Sequence, residues 1–223
     1  MKRLDTLLHL LRTGTAVAVL VMFREHALLA AVLAMGLYFA SFSFTHDLAH
    51  GALRLPRRLN EWMLTIASLL SLVSGHSMRL MHQRHHARPL AKDDFEGVGA
   101  AVSLWRAVLV GPQNAVAVRT HAWGAANRRE RRWIVLEYVL IGIAAALALS
   151  SGIVGLQVWV AACLVLHLTA SAWASHLPHH PPPLLRRIAL KLAWTGSASV
   201  LGFAFHDEHH AQPRLPCRAL AGR

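Results

Sequence analysis

Cysteine is nearly absent: Cys163, inside an apolar run, and Cys217, near the C-terminus, are the two in 223 residues. That excludes a disulfide framework and a Cys-x-x-Cys metal site. Acidic residues are also scarce, with 11 Asp and Glu against 23 Lys and Arg. The sequence contains no His-Glu-x-x-His, which removes a zinc-protease helix. No Glu is followed three residues later by His, so a bundle of Glu-x-x-His helices around a carboxylate-bridged metal pair is excluded too. Charge amounts to only 15% of residues while 55% are hydrophobic, a balance that points to a membrane protein. The net charge of +12 is not gathered on a soluble face; Lys and Arg fall between apolar runs, which argues against nucleic acid as a partner.

The length fits one domain, residues 1–223. Met1-Lys2-Arg3 is basic, but the run behind it is interrupted by His9 and Arg12 with no cleavage site, so it reads as a span and not a leader. Apolar spans are expected at 7–22, 27–45, 133–150 and 153–174, with Glu137 at the interface end of the third. Residues 62–73 are too short to cross and read as re-entrant or interfacial, and 188–205 as one helix lying along the membrane. The fold expected is all-α and integral to the membrane, with about four transmembrane helices. Of the Lys and Arg residues, Arg24 alone falls on the far side and Arg12 within the first span. By the positive-inside rule the shared face is cytoplasmic, and the bacterial inner membrane is the expected location.

What the chain has in abundance is histidine, 16 in all. His46 and His50 are spaced H-x-x-x-H, while His82-x-x-His85-His86 and His206-x-x-His209-His210 are H-x-x-H-H. Positions i, i+3 and i+4 share a helix face, so each cluster aims its rings one way. Converging clusters make a nitrogen-rich site large enough for two metals; iron suits oxygen activation, with zinc and copper left open by ligand type. His176-Leu177-Pro178-His179-His180 closes the fourth span, and His179 and His180, placed after or beside Pro178, read as loop histidines. His9, His26, His76, His121 and His167 stand alone and read as core or interfacial residues. A metal-bound imidazole donates its other N–H to a carboxylate or carbonyl. Asp47, Asp207 and Glu208 are expected in that role, and Asp93 and Asp94 either share it or balance nearby arginines. Arg79, Arg84 and Arg88 around the second cluster are expected to hold an anionic headgroup or to serve as the positive-inside signal.

The set H-D-x-x-H-G-A (46–52), H-x-x-H-H (82–86) and H-x-E-H-H-x-x-P-x-x-P (206–216) resembles the histidine boxes of the membrane fatty acid desaturase superfamily. That group includes alkane hydroxylases and carotenoid hydroxylases and ketolases, and the resemblance covers roughly 27–215. It implies a non-haem di-iron centre held by His46, His50, His82, His85, His86, His206, His209 and His210. It also implies a further ligand at the end of the last span, where His176 stands; Ala172 occupies a place where some members carry Asn. O₂ as co-substrate, a separate ferredoxin- or cytochrome-type electron donor and a lipid or acyl chain in the bilayer follow from the same resemblance. The expected reaction is introduction of a double bond into a fatty acyl chain; hydroxylation or ketolation of a carotenoid or alkyl chain is the alternative. A non-catalytic metal transporter is the alternative of another class, though such sites normally lie near the bilayer midplane.

Overall fold

In hydrocarbon a chain has only itself to satisfy its backbone, so long apolar runs must be helical. The computed structural model describes residues 2–195, 197–215 and 217–220, and its regular segments are all α, 3-10 or π helices. α1 (Lys2–Met22) and α2 (Ala27–Ala49) are joined by a tight turn, and both are long and apolar enough to cross a membrane. α3 (Arg57–Ser71) is not: at about 1.5 Å per residue it spans roughly 22 Å. It lays Leu64 and Ala67 against α2, leaves Trp62 and Ile66 exposed, and stops at Leu72 in the left-handed region, φ 53°. α4 (Gly75–Ala87) starts at Ser74, whose Oγ accepts the Ser77 N–H. After a 3-10 turn at Gly97–Gly99 comes α5 (Leu104–Ala125), then α6 (Arg128–Ser150), a span opened by a capping box of Asn127 and Glu130.

α7 (Val154–Leu168) continues through a π-helical turn, Ser171–His176, into α8 (Leu177–His179). The pair is bent by 55° and together passes as a fourth span. The sequence ends this span at 174, whereas the helix runs on to His179. Pro178 is tolerated because it lies in the first turn of α8, just past a π turn that has already displaced the i−4 partner a proline cannot bond. Gly99 and Gly111 let the 3-10 turn and α5 press onto this region: a Cβ at either would overlap the carbonyl of Ser171 or Leu168. The chain ends in α9 (Pro183–Lys191), α10 (Ala198–Ala204), α11 (His206–Ala211) and α12 (Cys217–Leu220). A single helix over 188–205 is therefore not what forms. Thr195 Oγ1 accepts the Ser197 N–H, a local bond that competes with helix, and α10 is then tied to α2 through Ser43, Ser197 and Ser199.

α1, α2, α6 and α7 share a core of Leu20, Ala30, Ala34, Leu37, Ala148, Trp159 and Cys163, where small residues allow close approach. Beside it lies a buried ionic cluster that pins α3, α4 and α6 together. His76, wholly buried, faces Glu137 Oε1 through Nδ1 (2.6 Å) and Glu61 Oε2 through Nε2 (2.5 Å). Glu137 also accepts from Thr65 Oγ1, Ser74 Oγ and the His76 N–H, and Arg79 donates to both Glu61 oxygens. Burial raises the Glu61 carboxyl, but the Arg79 and His76 bonds outweigh it and hold it below the usual range. Glu137 is thus buried among protein partners, and His76 is not a bystander: the apolar run around Glu137 conceals partners 61 and more positions away. Replacing Glu137 by Ala leaves His76 Nδ1 and the Thr65 and Ser74 hydroxyls buried without their shared acceptor, so the variant is expected to lose about 3–5 kcal/mol of stability. Glu137→Gln, which keeps an acceptor oxygen, should fall much less; thermal unfolding in detergent checks the order.

Candidate metal centre

α2 ends in His46 and His50, α4 carries His82, His85 and His86 on one face, α8 ends in His179, and α11 carries His206, His209 and His210. These ends meet. His46, His50, His82 and His209 bring ligand atoms within 4.8 Å of one another, and His85, His179, His206 and His210 do the same. His86 closes the first group, its Nε2 lying 3.1 Å from His209 Nε2 and 3.3 Å from His82 Nε2. Residues three and four apart flank the centre of a helix face, so α4 and α11 each serve both groups.

Which nitrogen points inward is set from outside. His46 Nδ1 faces Asp47 Oδ1 at 3.3 Å, and the other Asp47 oxygen is 3.1 Å from His9 Nε2 on α1. His82 Nδ1 donates to Glu96 Oε1 (2.5 Å), and His85 Nδ1 to Asp94 Oδ2 (2.7 Å). With one nitrogen so held, the other turns to the centre. Asp207 and Glu208 are exposed and bond no imidazole among the described residues, so the expectation that they back the ligands fails; α11 turns them outward and its histidines in. Asp94 and Glu96 stand where that role was expected, and His9, read as isolated, is part of it. Glu96 left no sequence signal, because its partner lies on another element 14 positions away.

The same geometry moves the extra histidine. His176 Nδ1 donates to the Gly99 carbonyl (3.1 Å) and His180 Nε2 to the Ala100 carbonyl (2.8 Å), so both clamp the 3-10 turn and lie outside the two groups. His179, read as a loop residue, enters the second group instead, with Nε2 3.3 Å from His85 Nε2 and 3.2 Å from His206 Nε2. The π turn rotates the helix end past the face that regular α spacing assigns to His176. Arg79, Arg84 and Arg88 are likewise not free for a headgroup: the first is bound to Glu61, the others to Asp93.

The donor set fits metal. His209 Nε2 faces both His46 and His86, and His179 Nε2 faces both His85 and His206, while one ring nitrogen carries at most one hydrogen. His50 Nε2 and His210 Nε2 are buried with no partner among the described residues. Burial, then repulsion among neighbouring imidazoles, lowers the basicity of His82, His86 and His209, takes His50 and His206 to about 2 and His210 to about 4. His85 moves the other way, because Asp94 and Glu96 outweigh its burial. The cluster is therefore mostly neutral imidazole, the ligand form. Two cavities lie beside it. A slot of about 920 Å³, open mouth included, is lined by Tyr38, Met81, Trp173 and Glu96 among others, and a smaller one of about 590 Å³ touches His46, His82, His206 and His209. Phe42, Glu96 and Trp173 wall both.

Metal analysis should separate the two candidate histidines: His179→Ala is expected to lose about one of two metals, His176→Ala to keep both. Glu96→Gln should weaken affinity by about 10- to 100-fold without removing a ligand. In the metal-free protein the sign with pH is fixed. Unfolded, His50, His206 and His210 take protons near their ordinary value of 6.5, and folded they do so only below about 4 or about 2. Acid therefore favours the unfolded chain, and the apo protein should melt lower at about pH 5 than at about pH 7.5, with His85 offsetting a part.

Compared with known proteins, the chain matches the family model for fatty acid desaturase over residues 25–221. No curated protein and no solved structure matches it. The family accounts for what the geometry already shows, apolar helices carrying histidine clusters to one shared centre. This chain belongs to the fatty acid desaturase family.

Proposed function

We propose that the protein is an O₂-dependent oxidoreductase that holds two iron ions and introduces a double bond into a lipid acyl chain. The observation that carries this is the shared wall: Glu96 lines the slot and also holds His82 of the candidate metal centre through Oε1. A mostly apolar slot with a few placed polar groups is the usual form of a small-molecule site. His46, His50, His82, His86 and His209 would hold one metal and His85, His179, His206 and His210 the other. Bound there, iron supplies O₂ activation strong enough to remove hydrogen from an unactivated C–H bond.

The chain's own residues do the rest. Asp47, Glu96 and Asp94 fix three imidazoles in tautomer and direction. Phe42 and Trp173, packed edge to face at 5.1 Å, form a rigid apolar wall that sets one stretch of an acyl chain near the centre and keeps bulk water out. Loss of two hydrogens from adjacent carbons, with O₂ taking two electrons and two protons from outside, leaves a double bond and two waters. Those electrons come from a separate ferredoxin- or cytochrome-type carrier. The centre faces the cytoplasm, as the distribution of Lys and Arg supports.

Expression in a host with fully saturated acyl chains is expected to give a new monounsaturated species that disappears with His206→Ala. Oxygenated products alone, with no double bond, would replace desaturation by hydroxylation or ketolation. A metal-loaded protein that consumes no O₂ with any lipid and reductant would remove the oxidoreductase reading.

A further inference from the structure

Arginine placement in the slot bears on what the substrate looks like, given that the slot is the substrate site. Arg79, Arg84 and Arg88 are each bound to a carboxylate, and none lines the slot. One arginine does line it: Arg119 on α5. Among the described residues it has no carboxylate partner, and its one hydrogen bond is Nη1 to the Ala115 carbonyl of its own helix, at 2.5 Å. A guanidinium has five N–H donors in a fixed fork that matches a carboxylate or phosphate, so most of its capacity is unspent. The slot's own carboxylate, Glu96, is taken by His82.

Other polar atoms of the wall are unfinished as well. Thr45 Oγ1, Ser77 Oγ and His167 Nε2 are buried without partners among the described residues, and all three residues line this slot. A plain alkane would leave those three buried atoms unsatisfied and give the half-buried guanidinium no anion, which is a cost that an acidic end group removes. We propose that Arg119 anchors an anionic end group of the substrate, so that the slot takes a chain ending in a carboxylate or phosphate and not a neutral polyene. The wall from Arg119 to Glu96 then fixes which carbon of the chain comes to the metal centre, as a ruler measured from the charged end.

Equilibrium binding of hexadecanoic acid, its methyl ester and hexadecyl phosphate to the metal-loaded protein in neutral detergent tests this. The native protein is expected to hold the acid or the phosphate about tenfold more tightly than the ester. Arg119→Gln should abolish that preference while the ester binds as before, which reports an intact slot; Arg119→Lys should keep a part and stands in if the Gln variant does not fold. A tighter hold on the phosphate than on the acid, lost in the same variant, assigns the end group to a lipid phosphate; the reverse order assigns it to a free acid. Equal binding of acid and ester, or a preference that survives Arg119→Gln, overturns the proposal. Binding is read without O₂ or reductant, so it stands apart from the oxidation reading: turnover of a neutral chain with no acid preference would leave that reading intact and sink this one.

Discussion

An imidazole has two nitrogens, and fixing one decides where the other points. The clustered ring nitrogens of His46, His86 and His209, and of His85, His179 and His206, lie within 3.0–3.3 Å of their neighbours. Left to themselves, such lone pairs repel or share too few protons. They are held because the helices that bring them are locked from behind: α2 by His9 of α1 on Asp47, α4 by Asp94 and Glu96 on His85 and His82, and the end that carries His179 by His176 and His180 on the Gly99 and Ala100 carbonyls. The carboxylates do their work one layer out from the clustered ring nitrogens, and this explains how so acid-poor a chain can still orient a histidine-rich centre. Asp47, Asp94 and Glu96 are each committed to a ring, and Asp93 to two guanidinium groups.

Long apolar helices and the three histidine boxes were legible in the sequence because both are local patterns. A run of uncharged residues becomes α2 wherever it sits, and i, i+3, i+4 spacing puts His82, His85 and His86 on one face of α4 without help from elsewhere. What was not legible depends on a break in local regularity or on distant partners. Pro178 makes His179 read as a loop residue, and no residue pattern announces a π turn. Asp207 and Glu208 looked like backing groups by adjacency, whereas adjacent residues on a helix face different ways. Glu96 and His9 are separated from their partners by 14 and 38 positions, beyond the reach of any spacing rule.

The ionic cluster of His76, Glu61, Glu137 and Arg79 couples the membrane-spanning part to the site-bearing part. α6 crosses the membrane, α3 does not, and α4 carries the second box; one buried carboxylate, Glu137, touches residues of all three or of the turn between them. Such a cluster is costly to desolvate, and an apolar core could replace it with equal or greater stability. Its directional bonds, unlike apolar contact, fix how far α4 is rotated about its own axis, and that rotation aims His82 and His85.

The π-helical turn at Ser171–His176 fixes a rotation of the same kind, but through chain length. A regular α-helix advances roughly 100° per residue, so a π turn amounts to one residue more than the helix needs. Deleting a single residue between 170 and 176 would restore an ordinary helix, swing His179 away from His85 and His206, and bring a different side chain round in its place. The site therefore depends on a count as well as on identities. A one-residue gap between 170 and 175 would dismantle half the centre with every histidine still present.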